Sequence, residues 1–324
     1  MIAAPQIERA TLADIEPLAL LRVEMGWRRS DPLLRATLAW EGGRIFIVRA
    51  RSLGVTAKGL AELPVASASA IAAGPVGVIG NVTVRPEFQR RGLGGLLTTH
   101  AIAWQRAQGV REVWLDATPA GRPLYRRLGF EDVAVSWDAH APLRDLRQER
   151  LAALAGGITA EQASAEKLTS VAALDLAAFG GDRLGLLEAL AAQDSYALYI
   201  ARDLHDASRR PLGYALSRQL EPPWTGIRLG PLVAPDDRVA AALTLAATRA
   251  EQRRIPDEFA RGEAYVTVGR GDEPAIRAFY DSIGLPTEDD DLVMRLSLAA
   301  SDAQPPAHDE GRPRIYSWTA PMVF

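Results

Sequence analysis

Asn81-Val82-Thr83-Val84-Arg85-Pro86-Glu87-Phe88-Gln89-Arg90-Arg91-Gly92-Leu93-Gly94-Gly95-Leu96-Leu97 reads as an apolar strand, a tight turn carrying arginines, and three glycines that open an amphipathic helix. The first turn of a helix presents backbone N–H groups that have no helical partner, and it carries a partial positive charge. Arg90 and Arg91 add like charge at that point, which is unfavourable unless an anion lies over it. Glycines let such an anion approach the main chain closely. The stretch therefore predicts a polyphosphate site at a strand-to-helix turn.

Two common phosphate loops do not fit. A P-loop places Lys-Ser or Lys-Thr directly after its last glycine, whereas Gly95 is followed by Leu96-Leu97. A dinucleotide fingerprint opens the first βα turn of a parallel sheet. Here the loop follows the fourth predicted strand.

Upstream of the loop, strands are predicted at Ile7–Arg9, Ile45–Ala50, Val65–Ile71 and Val76–Val84. Thr11-Leu12-Ala13-Asp14 resembles a capped helix start, and Ser30-Asp31-Pro32 a second one with proline in its first turn. The helix after Gly92 carries Leu93, Leu96, Leu97, Ala101 and Trp104 at spacings that form one apolar stripe. His100 lies at the edge of that stripe and reads as a half-buried packing residue. A strand at Glu112–Leu115, a helix around Pro119–Leu128 and a strand at Asp132–Trp137 follow.

The totals limit the class of function. A length of 324 residues suggests two domains, at ~150 residues each. The net charge of −3 argues against broad nucleic-acid binding. The chain has no cysteine, which removes disulfides, thiolate metal sites and a cysteine nucleophile together. His100, His140, His205 and His308 lack metal-ligand spacing, so no metal is expected. No run approaches the ~20 apolar residues of a membrane span, and the start has no basic, apolar leader pattern. The expectation is a cytoplasmic protein.

After a connector at 141–157 the same rhythm returns. Tyr125-Arg126-Arg127-Leu128-Gly129-Phe130 recurs 155 positions later as Tyr280-Asp281-Ser282-Ile283-Gly284-Leu285, and Val84-Arg85-Pro86 is echoed by Val233-Ala234-Pro235. The period is far longer than the ~20–50 residues of a solenoid, so a whole domain is duplicated. Strands are expected from Ile158, at Tyr196–Ala201, Leu212–Leu220, Ile227–Val233, Ala264–Val268, Leu292–Leu296 and, after a polar stretch at Ser301–Pro313, at Arg314–Thr319. Helices are expected at Glu166–Phe179, Leu184–Ala192, Asp236–Arg253 and Glu273–Ile283. The second copy has Ala234-Pro235-Asp236-Asp237-Arg238 in place of the glycine turn. Its aspartates satisfy the helix start internally and would repel a pyrophosphate.

Gln89-x-x-Gly92-x-Gly94 after one strand, with Leu124-Tyr125-x-x-x-Gly129-Phe130 after the next, resembles the GNAT superfamily of acetyl-CoA-dependent N-acyltransferases. The resemblance covers both halves and implies an α/β (α+β) class with two tandem GNAT folds, each a mixed, mostly antiparallel sheet flanked by helices. The implied division is 1–140 with the intact loop, the connector 141–157, and 158–324 as a diverged copy. The implied activity is transfer of an acetyl group from acetyl-CoA to an amine of a small molecule or peptide, with no metal. The alternative is a non-catalytic acyl-CoA-binding sensor. Oligomeric state is left open.

Residue by residue, the resemblance implies that the main chain of Val82, Thr83 and Val84 pairs with the pantetheine like an added strand. The N–H groups of Arg90, Arg91, Gly92, Leu93, Gly94 and Gly95, beside Gln89, would take the pyrophosphate. Arg85, Arg90 and Arg91 are candidates for further phosphate contacts or are solvated surface charges. Thr118 stands where many members carry an asparagine near the pantetheine. Tyr125 stands where the family places a general acid for the departing sulfur, and a phenol with pKa near ~10 is protonated at neutral pH. The base is not evident, because Val76-Gly77-Val78-Ile79-Gly80-Asn81 offers neither acid nor histidine. Asn81 as a water-orienting group and Glu24 beside Trp27 are the candidates. Without cysteine, direct attack by the amine is expected.

Overall fold

The structure is a computed structural model that describes residues 5–220, 225–268, 274–298 and 314–317. The polar stretch at Ser301–Pro313 lies outside the described residues. The chain forms two compact units. Unit 1 takes the residues up to Asp132 and the end of one late strand from Met294; unit 2 takes Val133–Val293 and the last described strand.

Unit 1 starts with strand β1 (Ile7–Arg9), a 3-10 turn at Leu12–Asp14, and helices α1 (Ile15–Glu24) and α2 (Asp31–Ala39). Strands β2 (Gly43–Arg49), β3 (Pro64–Ala73) and β4 (Val76–Val84), helix α3 (Leu93–Ala107), strand β5 (Glu112–Ala117) and helix α4 (Arg122–Arg127) follow. The order β1-β2-β3-β4 is antiparallel, and β4 and β5 are parallel. Along β4 the side chains alternate: Val82 and Val84 meet α3, whereas Asn81 meets α1. The sheet therefore has helices on both faces. Ile15, Leu18, Leu34, Ile45 and Ile47 fill one core cluster.

The start of unit 1 is fixed by the predicted capping box. Thr11 N and Oγ1 both donate to Asp14 Oδ2, at 2.9 and 3.1 Å, and Arg49 donates to Asp14 Oδ1 at 2.7 Å. Burial by itself raises the Asp14 pKa, but the Thr11 N–H and Arg49 outweigh it and hold the carboxyl below its ordinary value. Its stabilising effect is full above the unfolded pKa and is lost as pH falls through the lower folded one. Asp14→Asn is expected to cost about 1–3 kcal/mol at neutral pH. Urea titrations should find the gap to wild type closing at acid pH; a gap independent of pH would contradict this role.

Unit 2 repeats the plan. Strand β6 (Glu131–Pro142) and helix α5 (Gln148–Ala155) precede strand β7 (Ile158–Ala163), helices α6 (Ala172–Phe179) and α7 (Leu184–Ala191), and strands β8 (Tyr196–Asp203), β9 (Gly213–Gln219) and β10 (Gly226–Ala234). Helix α8 (Asp237–Arg254), strand β11 (Glu263–Val268), helix α9 (Pro274–Ser282) and strands β12 (Thr287–Ser297) and β13 (Arg314–Ser317) complete it. β7-β8-β9-β10 is antiparallel and β10 and β11 are parallel, as in unit 1. β6 was expected to close the first half. It pairs antiparallel with β11, from Glu263↔Pro142 to Val268↔Trp137, and so belongs to unit 2.

Candidate active site

The quoted stretch forms the rim of a split in the sheet of unit 1. β4 and β5 pair only from Val76↔Glu112 to Val78↔Trp114, although β4 continues to Val84 and β5 to Ala117. Among the described residues no strand pairs with Ile79–Val84 on that side. A bulge accompanies the split. Ser69 faces Gly80 and Ser67 faces Thr83, so β4 carries one extra residue against β3, at Asn81-Val82. Asn81 takes φ +51°, which non-glycine residues seldom adopt and asparagine tolerates best.

Beyond β4 the chain makes a 3-10 turn at Pro86–Phe88, then reverses through Arg90 (φ +59°) and Gly92 (φ +78°) into α3. Gly92 is needed because a side chain at that φ is strained. The first helix-closing bond runs from Leu96 N to Gly92 O at 3.0 Å, and no side chain caps the helix. The N–H groups of Leu93, Gly94 and Gly95 therefore lie ahead of the helical pattern, beside the exposed Arg90 and Arg91. Gln89 Nε2 donates to Val84 O at 3.0 Å and closes the turn. Arg91 donates to Glu87 O at 3.1 Å and lies 5.2 Å from the Phe88 ring centroid. Gly94 faces Val82, Val84 and Leu124, so β4, α3 and α4 converge at the loop.

Tyr125 lies on α4 and is buried. Its ring covers Gly121 so closely that a Cβ there would stand 2.8 Å from Cε2, and it meets Phe130 edge-on at 5.9 Å. Thr118 Oγ1 accepts from Gly121 N at 3.3 Å, so Thr118 and Tyr125 flank the same turn. Trp27 is half-buried in the turn after α1. Glu24, 41% exposed at its side chain, pairs with Arg85 at 3.1 Å. Arg85, one of the candidate phosphate ligands, thus has a carboxylate partner within the protein. The Thr83 hydroxyl is buried 2.7 Å from Ser67 Oγ, which leaves only its main chain for a ligand. His100 is exposed rather than half-buried, with its ring edge-on to Phe46 at 4.6 Å.

Two buried polar residues were not singled out from the sequence. Arg22, 3% exposed, donates to Asn81 Oδ1 and, through Nε, to Arg28 O at 3.1 Å. Gln105, on α3, donates to Ile71 O at 2.7 Å and Val78 O at 2.9 Å, at the last β4 residue paired with β5. The available signal was a charged or amide residue on an otherwise apolar helical stripe, as Arg22 follows Leu18 by one turn.

The corresponding place in unit 2 is filled. β10 leaves β11 after Leu229↔Val266, and β13 then pairs with Leu232–Ala234 of β10. Asp236 caps α8, accepting from Val239 N at 3.0 Å, with Asp237 in the first turn. Tyr280, the counterpart of Tyr125, is fully buried against Trp137 and Phe279, and burial pushes its phenol pKa far up.

The acetyltransferase (GNAT) family matches residues 16–130, and a second acetyltransferase (GNAT) domain matches residues 171–260. The uncharacterized N-acetyltransferase YitH of Bacillus subtilis is 31% identical over 207 residues, covering 61% of this chain and 68% of that protein. The chain belongs to the GNAT acetyltransferase family. It is an N-acetyltransferase with two GNAT domains. Among solved structures, a candidate acetyltransferase of Pyrococcus horikoshii has the same fold, with TM-score 0.70, 19% identity and coverage of 98% of this chain and 95% of that one. A tandem GNAT protein from the clavulanic acid biosynthesis pathway gives TM-score 0.61 at 16% identity, covering 92% of this chain and all of that one, 100%. Among the described residues no helix is long and apolar enough to cross a membrane, and no cluster of acidic or histidine side chains could hold a metal ion.

Proposed function

We propose that this GNAT protein transfers the acetyl group of acetyl-CoA directly to an amine of a small molecule or peptide, with the chemistry in unit 1. The observation that carries this reading is the contrast between the two splits. In unit 1 a stretch of β4 with no strand partner on its β5 side leads to a row of N–H groups at the start of α3; in unit 2 β13 fills the split and Asp236 occupies the helix start. The first arrangement fits an extended pantetheine and a pyrophosphate, and the second excludes both.

Acetyl-CoA, when bound, supplies an activated acyl carbon and a thiolate leaving group. The residues of unit 1 then have three tasks. The main chain of Val82–Val84 holds the pantetheine arm in line, with Thr118 at its far side. The N–H groups from Arg90 to Gly95, with Gln89 fixing the turn, bind the pyrophosphate. Tyr125 donates its phenolic proton to the departing sulfur, and an ordered water or Glu24 takes the proton of the amine. Asn81 serves here through the shape of β4, because its amide is already engaged with Arg22 and Ser69.

The test is release of free thiol from acetyl-CoA across a panel of amines, including amino sugars, polyamines, amino acids and peptide N-termini. Turnover on at least one amine is expected. Saturable binding with no turnover on any would instead favour a sensor. A second prediction concerns unit 2: Asp236→Ala should leave acetyl-CoA affinity within about twofold while costing about 0.5–2 kcal/mol of stability through the lost cap. Calorimetry and denaturant titration on one preparation check both, and a large loss of affinity would contradict the assignment to unit 1.

A further inference from the structure

We propose that Arg22 is a positioning residue that locks the β4 bulge and the α1–α2 turn into one register, so that amine and thioester meet correctly; this rests on the acetyl-transfer reading above. One buried guanidinium ties three segments together. Its Nη1 donates to Asn81 Oδ1 on the bulge, its Nε donates to Arg28 O after α1, and its carbon lies 5.7 Å from the Trp27 ring centroid. The main chain of the same residue accepts from Met25 N and Trp27 N, both at 3.0 Å. Asn81 passes the connection on, since its Nδ2 donates to Ser69 Oγ on β3 at 3.2 Å.

Stability alone does not account for this arrangement. Burying a guanidinium carries a desolvation penalty, and well-packed apolar groups commonly serve a fold as well or better. Positive φ at a non-glycine residue is strained, a cost that glycine would avoid. Both penalties fall at one point, Asn81, three residues beyond the last β4–β5 pair at Val78. The duplicate shows the alternative. β10 has its own bulge between Leu229↔Ser217 and Leu232↔Ala215, and Gly230 supplies the positive φ there. The half whose split is filled by β13 uses glycine at the bulge. The half with the open split uses asparagine held by a buried arginine.

The segments that Arg22 joins carry the parts that must meet. Glu24 ends α1 and Trp27 lies on the turn after it, while Val82–Val84 run on from the bulge residue Asn81. A shift of the turn against β4 would therefore displace Glu24, the candidate base, and Trp27 beside it from the acyl donor while leaving the pyrophosphate loop in place. Lysine cannot take over, because its single ammonium cannot reach Asn81 and the Arg28 carbonyl with the planar fork that serves both.

The experiment compares wild type, Arg22→Lys, Asn81→Gly and the double variant. Asn81→Gly keeps the positive φ accessible and removes the amide that accepts from Arg22 and donates to Ser69, so it provides a folded variant if Arg22→Lys fails to fold. Steady-state kinetics on the preferred amine and calorimetric binding of acetyl-CoA are the readouts. Each single variant should lose roughly thirtyfold or more in kcat/KM for the amine, as misplaced reactants do, while the Kd for acetyl-CoA stays within about threefold. The double variant should be no worse than the poorer single one, because both changes break one link. Unchanged kcat/KM, additive losses, or acetyl-CoA affinity falling in step with kcat/KM would each overturn the role of Arg22. Absence of turnover in wild type would overturn the acetyl-transfer reading itself, which keeps the two failures distinct.

Discussion

Gly92→Glu is expected to abolish acetyl-CoA binding while leaving the fold intact. Gly92 has φ +78° and is exposed, and a Cβ built there meets nothing within 4 Å. Strain from a side chain at that φ costs about 1–2 kcal/mol. The larger effect is electrostatic: a carboxylate about 4 Å from a pyrophosphate charge is repelled by several kcal/mol, even at an effective dielectric constant of ~20. The repulsion raises Kd by at least ~100-fold, whereas the strain is present with or without ligand and falls on stability. Gly92→Asn separates the two causes, since asparagine tolerates positive φ and carries no charge. It should stay within about tenfold of wild type. Gly94→Glu should also abolish binding, because its side chain would enter the space between α3 and Val82 and Val84. Calorimetric titration reads all three, and normal affinity in Gly92→Glu would place the ligand elsewhere.

Tyr125→Phe is the second large effect expected, and it falls on turnover rather than binding. The ring is held by packing over Gly121 and against Phe130, and phenylalanine preserves both contacts. Only the hydroxyl is lost. Removal of a general acid typically lowers kcat by about 10²–10⁴-fold. Thiol release should fall in that range, with Kd for acetyl-CoA unchanged within about twofold. A kcat near wild type would reduce Tyr125 to a packing residue. Tyr280→Phe, its counterpart in the core of unit 2, is the control that should leave kcat untouched.

Local patterns carried most of the fold into view. Val76–Val84 has the predicted limits, the Thr11/Asp14 capping box is present, and α3 begins directly after Gly92. These features depend on residues within a few positions of one another. Pairing partners depend on distant residues, and there the sequence was mute. β6 follows unit 1 in the chain yet pairs with β11, because an alternating strand pattern names no partner. The same limit hid the partner of β13: a strand is expected at Arg314–Thr319, but nothing local says that it lies along β10. Asp236, read from the sequence as a helix cap, does cap α8, while the β13 strand beside β10 is a second difference from unit 1. In the site, the glycines and arginines of the loop were legible from their spacing. The pairing of Arg85 with Glu24 and the grip of Arg22 on Asn81 were not, since each joins residues about sixty positions apart.

The central claim is a single acetyl-CoA site, in unit 1. Crystals of the full chain grown with acetyl-CoA test it most directly. The pyrophosphate is predicted within hydrogen-bond distance of N–H groups between Arg90 and Gly95, with the pantetheine along Val82–Val84 and β13 still paired with β10. Acetyl-CoA between β10 and β11, with β13 displaced, would contradict the account.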